Sequence, residues 1–311
     1  MNFSSMEYFI VLSKELNFTR AAEKLHLTQQ SLSAHIAGLE KELGCTLLTR
    51  SPKLDLTYGG RIFLQYAQEF HKNYLAMQRQ FCDISQNHRG LLRLGAATTR
   101  GRTLLPDCIA AFQQQYPNVE ISLTEGSNKA LIQNLLDGDL DLAIADFPKN
   151  MQGITFQDFY KEEIALTLSK KLFSQIYGIG LEQVLQEFQA GHFAELARCP
   201  IVLGDEDDID GRMGLRLLKA NHISQPLIRA RSHNVGMLLT LCTKGIGACF
   251  CPLNLMEHNL SAGEKTALYI FPLGPKASYP IRFGCKETTY SWSIIQLFME
   301  CAKKTYRKKE V

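Results

Sequence analysis

The feature that most constrains the fold is a long stretch, Tyr58 to His88, with no proline and with glycine only in its first turn. It is long enough for about 45 Å of α-helix. One apolar stripe on a lone helix is unstable in water, so it needs a partner. We expect a second copy of the chain to cover it, and packing against the chain's own body is the alternative. The stripe has coiled-coil spacing and contains Phe63, Ala67, Phe70, Tyr74, Met77, Phe81 and Ile84.

Three shorter helices are predicted ahead of this stretch. Phe9 and Leu12 have helical spacing, and Thr19 is a candidate N-cap for a second helix over 20–26. After a tight turn, Thr28 can cap a third helix from Gln29 to about Leu43, which Gly44 ends. The predicted inner face of that helix contains Leu32, Ile36, Leu39 and Leu43.

The outer face of the third helix begins with side chains that can hydrogen-bond to base edges. Two helices joined by a tight turn, with such side chains at the start of the second, are typical of a helix that enters the major groove of DNA. An ordinary helical hairpin is the alternative. The following segment, 46–57, is predicted to be a wing, with Arg50 near its tip. The polar positions are Gln29, Gln30, Ser31, Ser33 and His35.

Charge alone does not identify a partner. The net charge is +3, from 34 basic and 31 acidic residues. The first 89 residues carry ten Lys and Arg against eight Asp and Glu, which is weak electrostatics for a nucleic-acid binder. Five basic residues between Lys303 and Lys309 are interpreted as a solvated, frayed tail.

Beyond Arg89, strands and helices alternate. Their order is typical of a parallel sheet covered on both faces, and about 210 residues are enough for two lobes. The first elements are a strand at 91–97, a helix at 103–116, a strand at 119–125, a helix at 127–137 and a strand at 140–146. More such units follow, and the next predicted strand lies at about 164–168.

Ligands of such sheets bind at the carboxyl ends of the strands, beside helix N-termini. Here these ends predict a site for a small polar or anionic molecule, although helix capping explains Thr99 and Ser127 equally well. The candidate residues are Thr98, Thr99, Arg100, Ser127, Asn128 and Asp146.

An acidic run, Asp205 to Asp210, precedes Gly211. Aligned as an EF-hand, it has Leu217 where a bidentate glutamate is required, so calcium binding is not supported. We interpret the run as a solvated loop, with the border of a ligand cleft as the alternative.

Several classes of protein are disfavoured. Nine scattered cysteines do not suit a disulfide framework or a zinc site, and we expect reduced thiols, no metal and no cofactor. No nucleophile, P-loop or zinc-protease motif occurs, which predicts that the chain is not an enzyme. No apolar run is long enough for a bilayer and no signal peptide is present, so we expect a soluble, cytoplasmic protein.

Taken together, these residues resemble the LysR-type transcriptional regulators over essentially the full length. The resemblance is strongest over 18–36, and it continues through Leu47-Leu48-Thr49-Arg50. Farther on, Asp139-Leu140-Asp141-Leu142-Ala143-Ile144 and Gly245-Ile246-Gly247 look like the family's effector domain.

The resemblance implies a regulator that binds double-stranded DNA as a homo-oligomer, usually a dimer of dimers, and responds to a small effector. It implies an N-terminal winged helix-turn-helix at 1–58, a linker helix at 59–89 and a two-lobed α/β domain, similar to periplasmic binding proteins, at 90–302. Lobe I covers about 90–162 and 268–302, lobe II covers about 163–267, and 303–311 is the basic tail. The DNA-binding set then includes Thr28, Gln29, Gln30, Ser31, Ser33, Ala34, His35 and Arg50, and the cleft gains Leu203 and Gly204 at its edge.

Two alternatives remain open. One is a thiol-based redox sensor on the same scaffold, since Cys199 is expected near the cleft. The other is an α/β enzyme with a helical appendage, for which no nucleophile and base can be assembled.

Overall fold

The computed structural model describes residues 3–49, 53–85, 88–288 and 291–307, without the side chains of Cys82, Thr98 and Thr99. The chain divides into two compact units, 1–87 and 88–311. Within the described ranges, no helix is long and apolar enough to span a membrane.

The N-terminal unit is helical with one small hairpin. Its elements are α1 (Phe3–Glu15), α2 (Phe18–Lys24), α3 (Gln29–Leu43), β1 (Leu48–Thr49), β2 (Asp55–Leu56) and α4 (Tyr58–Ile84). Strands β1 and β2 pair antiparallel and form the predicted wing.

Helix boundaries in this unit follow from capping side chains. The prediction for α3 is confirmed: the Thr28 hydroxyl accepts a hydrogen bond from the Ser31 amide, and Gly44 closes the helix with a φ of 66°. The prediction that Thr19 caps α2 is wrong. The Asn17 side chain accepts a hydrogen bond from the Arg20 amide, so the helix begins at Phe18 and already contains Thr19.

The core of the N-terminal unit is formed where α1, α3 and α4 meet. Phe9 is fully buried and lies edge-on to Phe63, with ring centroids 5.1 Å apart. Leu32, Ile36 and Leu39 of α3 are buried as predicted. Leu43, the fourth residue of the predicted inner face, is instead 39% exposed because it lies in the last turn of the helix.

The apolar stripe of α4 has two parts. Phe63 and Ala67 are buried within this unit's own core, which is the alternative that the sequence left open for them. Tyr74 stacks on Phe3 with ring centroids 4.9 Å apart. The remaining stripe residues are 45–78% exposed, and they are Phe70, Met77, Phe81 and Ile84.

The C-terminal unit begins with alternating strands and helices. These elements are β3 (Gly90–Ala96), α5 (Thr98–Thr103), α6 (Leu105–Gln115), β4 (Val119–Glu125), α7 (Asn128–Asp137) and β5 (Leu142–Ala145). Then follow β6 (Ile154–Ser169), α8 (Lys170–Tyr177), α9 (Leu181–Gln189), β7 (Ile201–Gly204), α10 (Ile209–Ala220), β8 (Ile228–Ser232) and α11 (Val235–Thr243). The last elements are β9 (Cys249–Pro252), α12 (Leu253–Asn259), α13 (Ala262–Thr266), β10 (Leu268–Pro272), β11 (Ser278–Lys286) and α14 (Ser293–Arg307), and short 3₁₀ turns lie at 178–180, 194–198 and 275–277.

The sheet of lobe I is mixed rather than parallel. Strands β4, β3 and β5 are parallel, as predicted, but β11 is antiparallel to β5, and β6 is antiparallel to β11. The prediction of a parallel sheet throughout is therefore wrong. Only residues 164–168 of the 16-residue strand β6 were predicted, because its first half is not an apolar run and includes Lys161, Glu162 and Glu163.

Strand β6 belongs to both lobes. Its first half pairs with β11 in lobe I, while residues 164–169 pair with β9 on one side and β10 on the other. A bridge between Ile201 and Ala248 extends this second sheet to β7 and β8. The chain thus passes between the lobes along β6 and returns between β10 and β11.

The C-terminal basic run is largely helical. Helix α14 continues through Arg307, and the Lys303 ammonium lies 5.9 Å from the centre of the Phe283 ring. The prediction of a frayed tail from residue 303 is therefore wrong as far as Arg307, because the apolar face of α14 packs on the core. Lys308 and Lys309 lie outside the described residues.

A matched pair of isoleucines tests the core of the C-terminal unit. Ile294 is fully buried, whereas Ile179 is fully exposed. We expect Ile294→Ala to lower the free energy of unfolding by about 2–5 kcal/mol because it leaves a cavity, and Ile179→Ala to change it by less than about 0.5 kcal/mol. Urea denaturation can be followed by fluorescence of Trp292, the single tryptophan. Equal shifts for the two variants would contradict this core.

Candidate functional site

The polar face of α3, on the N-terminal unit, is at least partly exposed to solvent. Thr28, Gln29, Gln30 and Ala34 are exposed, while Ser31, Ser33 and His35 are half-buried. The Thr28 hydroxyl is engaged as the N-cap. His35 packs edge-on against Tyr8, and Arg50 lies outside the described residues.

A second candidate site is a cavity of about 620 Å³ in the C-terminal unit, lined by both lobes. It lies beside the carboxyl ends of β3 and β4, where the sequence predicted a ligand. Arg100, Ser127 and Asn128 of the predicted set line it. Ser127 is also the N-cap of α7, because its hydroxyl accepts a hydrogen bond from the Ala130 amide.

The other predicted cleft residues have different environments. The side chains of Thr98 and Thr99 are outside the described part of the chain. Asp146 does not line the cavity and instead binds Arg212 of the other lobe, with 3.2 Å between nitrogen and oxygen. Leu203 and Gly204 do not line it either, because β7 is buried within the second sheet.

A buried ion pair forms one wall of the cavity. Arg100 donates from Nε and Nη2 to the two carboxylate oxygens of Glu162, at 3.2 and 2.9 Å. The hydroxyls of Tyr160 and Tyr279 also donate to this carboxylate. Burial alone would raise the pKa of Glu162, but Arg100 and these hydrogen bonds hold the pKa below its usual value. Glu162 is therefore a buried carboxylate with its charge compensated.

The acidic loop borders the cavity, so its interpretation as a solvated loop is wrong for two residues. Asp208 and Asp210 both line the cavity, and Asp210 is only 3% exposed because it lies in the first turn of α10. Burial, together with the nearby Asp208, raises the pKa of Asp210 to about 7. Its Oδ2 atom has no hydrogen-bond partner among the described residues.

A histidine at the cavity is tied to the same loop. Nδ1 of His233 lies 2.9 Å from Oδ2 of Asp208, and Nε2 lies 3.6 Å from Oδ2 of Asp205. The hydrogen bond with Asp208 and the charge of Asp205 raise the pKa of His233. His233 thus partly neutralises the outer side of the loop, whereas Asp210 stays unpaired.

Sequence reasoning missed several lining residues, and the antiparallel strands explain why. Tyr160 and Glu162 come from the half of β6 that was not predicted, and Tyr279 comes from β11. Only the register between these strands brings Tyr279 opposite Glu162. The polar residues within β6 were the one available signal, since a buried sheet rarely places them without partners.

The structure also bears on metal binding and on thiol reactivity. Among the described residues, no three His, Cys, Asp or Glu side chains are grouped so that they could hold a metal ion. Cys199 is fully buried, and burial raises its pKa to about 12, which disfavours the reactive thiolate that a redox sensor needs.

The raised pKa of Asp210 predicts a pH-dependent stability. Between about pH 4 and pH 7, the folded chain holds a proton that the unfolded chain releases, so this residue makes stability fall as the pH rises. We expect Asp210→Asn to remove that penalty and to be more stable than the wild type by about 2–4 kcal/mol at pH 8, with little difference near pH 4. Urea denaturation at both values measures it. Asp207→Asn is the control, and parallel pH profiles for wild type and Asp210→Asn would contradict the shift.

Comparisons with known proteins agree with this architecture. Residues 3–61 match the family described as "Bacterial regulatory helix-turn-helix protein, lysR family", and residues 85–307 match the LysR substrate binding domain. The crystal structure of full-length CbnR complexed with its target DNA shares the fold, with a TM-score of 0.63 at 20% identity over 98% of this chain and 100% of that one.

Curated relatives align over part of the chain. The HTH-type transcriptional activator IlvY of Haemophilus influenzae is 35% identical over 170 residues, which are 54% of this chain and 58% of that protein. The HTH-type transcriptional regulator YybE of Bacillus subtilis is 34% identical over 165 residues, 53% of this chain and 56% of that protein. The chain spans about half the length of the curated relatives it matches. Since the two family matches together cover both units, the chain belongs to the LysR family of bacterial helix-turn-helix regulatory proteins.

Proposed function

We propose that the protein is a sequence-specific, DNA-binding transcriptional regulator whose activity is controlled by a small molecule in the cavity of the C-terminal unit. The observation that carries the proposal is helix α3. Its first turn is capped by Thr28 and presents the exposed Gln29 and Gln30, while Leu32 and Ile36 anchor its other face in the core. A helix held in this way can enter a major groove without disturbing the core.

The residues proposed to contact DNA divide by chemistry. Gln29 carries an amide that can pair in a bidentate manner with adenine, and its side chain lies 3.4 Å from the Thr19 hydroxyl, which restricts it. Gln30, Ser31, Ser33, Ala34 and His35 complete the face, and Arg50 in the wing is proposed to contact phosphate. Phosphate contacts add affinity without sequence preference.

The exposed part of the α4 stripe is proposed to pair with a second copy of the chain. Phe70, Met77, Phe81 and Ile84 leave apolar surface in water along one side of the helix. Burying it against a second α4 would remove that surface from water and would place two recognition helices symmetrically, as a palindromic site requires. Phe63 and Ala67 then support the helix from within each chain.

The cavity is proposed as the effector site because both lobes line it and an ion pair outside the lining joins them. Asp146 joins lobe I to Arg212 of lobe II, and Arg100 binds Glu162 on the strand that crosses between the lobes. A ligand bound between the lobes would contact both, so it could favour one arrangement of the lobes over another. In this proposal the ligand is not turned over, and the protein acts in the cytoplasm, where the chromosome of a bacterium lies.

The base-reading role of Gln29 can be tested on DNA. An operator is first selected from a random pool by the purified protein. We expect Gln29→Ala to weaken binding to that operator by about 1–3 kcal/mol and to leave binding to random DNA unchanged, because only the operator offers the matching base edge. Arg50→Ala is the comparison variant and should weaken both, since phosphate is common to both. Equal losses on the two DNAs for Gln29→Ala would rule out base readout.

The pairing of α4 can be tested by placing a charge in the stripe. We expect Met77→Glu to shift the mass in solution toward the monomer, because a carboxylate at this position would be buried in an apolar contact. Gln65→Glu makes the same charge change on an exposed residue outside the stripe and should leave the mass unchanged. Analytical ultracentrifugation measures both, and an unchanged mass for Met77→Glu would show that the stripe is not the interface.

A further inference from the structure

The charges in the cavity lining constrain the charge of the ligand. Among the described residues, four carboxyl groups line the cavity, together with one arginine and two histidines. The carboxyl groups are Glu162, Asp208, Asp210 and Glu257. This excess of carboxyl groups disfavours binding of an anionic ligand.

The one arginine is not available as a full positive charge. Arg100 is 8% exposed, and its Nε and Nη2 groups are both engaged by Glu162. Because Tyr160 and Tyr279 also donate to Glu162, the four side chains form a compensated cluster. A ligand carboxylate would have to compete with Glu162 for this guanidinium, and removing one partner of a buried pair is costly.

The N-terminus of α10 is also occupied, by a carboxyl group of the chain itself. Free N–H groups at a helix N-terminus attract anions, but here the buried carboxyl group of Asp210 itself lies in the first turn. Gly204 makes room for this carboxyl group, since a side chain on Gly204 would overlap Oδ2 of Asp210. The chain thus places its own carboxyl group where a ligand anion would bind.

Two side-chain oxygens of cavity-lining residues lack a hydrogen-bond donor among the described residues. Oδ2 of Asp210 and Oδ1 of Asn128 are buried atoms that have no hydrogen-bond partner within the described part of the chain. Both residues line the cavity, one from each lobe. A buried acceptor without a partner costs free energy, and a ligand that brings donors would recover it when the two side chains rotate toward the cavity. An ammonium group carries three donors and a positive charge.

The rest of the lining suits the body of such a ligand. Leu104, Val235 and Leu255 contribute apolar surface, and Tyr160, Tyr279 and Tyr306 contribute aromatic rings. Aromatic faces attract cations as well as apolar groups. We propose that the cavity binds an organic ammonium ion, a primary amine carried on an apolar or aromatic body, in preference to the anion that is one of the two ligand classes expected from the sequence. This proposal rests on the proposed function only in treating the cavity as the effector site.

The test is direct calorimetric titration of the full-length protein with ligands that differ only in the polar group. A panel of small primary amines, led by 2-phenylethylamine, is compared with the matched alcohols and carboxylates, led by 2-phenylethanol and phenylacetate. We expect amines of the panel to bind and their carboxylates to bind at least about tenfold more weakly, the size of effect that one charge-assisted hydrogen bond gives. Tighter binding of the carboxylates, or no binding by any amine, overturns the proposal.

Two variants assign the preference to the cavity. We expect Asp210→Asn to weaken amine binding about tenfold to a hundredfold while alcohols are little affected. Asn128→Asp, which adds a carboxylate, should strengthen amine binding. Asp207→Asn makes the same charge change on an exposed residue of the acidic loop that does not line the cavity, and it should leave amine binding unchanged. Equal losses for Asp207→Asn and Asp210→Asn overturn the assignment.

Failure of this proposal is distinguishable from failure of the proposed function. Operator binding is measured separately, with and without the same compounds. If carboxylates rather than amines bind and change operator affinity, the ligand class is wrong and the regulator remains. If amines bind in calorimetry but the protein does not prefer any DNA sequence, the ligand class stands and the proposed function is wrong.

Discussion

The C-terminal unit depends on one strand that serves two sheets. Residues 154–163 of β6 hydrogen-bond to β11, and residues 164–169 hydrogen-bond to β9 and β10. Backbone groups that are buried must be paired, so the strand cannot slide in one sheet without breaking the other. The lobes are thereby joined by continuous backbone hydrogen bonding, and the cavity lies beside the place where the strand passes from one to the other.

Strand β6 carries a buried charged residue. Glu162 is buried, and its ionised form is stable only because Arg100 and two tyrosine hydroxyls surround it. Arg100 comes from the helix after β3, whereas Tyr279 comes from β11, so the cluster ties three parts of lobe I together. Because of this compensation, the one arginine among the described lining residues is already paired. Structural stability and the proposed ligand preference therefore have a common cause in this unit, namely how buried charges are paired.

In the N-terminal unit, the same helices carry buried apolar side chains on one face and exposed side chains on the other. The inner positions of α3 hold the core together and the outer positions of its first turns stay in contact with water. Helix α4 contributes Phe63 and Ala67 to that core, and its later stripe residues stay exposed. A helix can serve both purposes because its 3.6-residue period separates the two faces.

The sequence alone was sufficient for the helices of the N-terminal unit, the parallel strands β3, β4 and β5, the family resemblance and the place of the cavity at the strand ends. These features depend on local patterns, namely caps, apolar periodicity and strand–helix alternation, which act over a few residues. The tertiary structure decided the long antiparallel strand β6, the burial of Asp210 and the meeting of Arg100, Glu162 and Tyr279. Glu162 and Tyr279 are 117 positions apart in the chain. Their contact follows from strand register, and the state of each charge follows from which groups surround it in space, so no local pattern of residues could specify either.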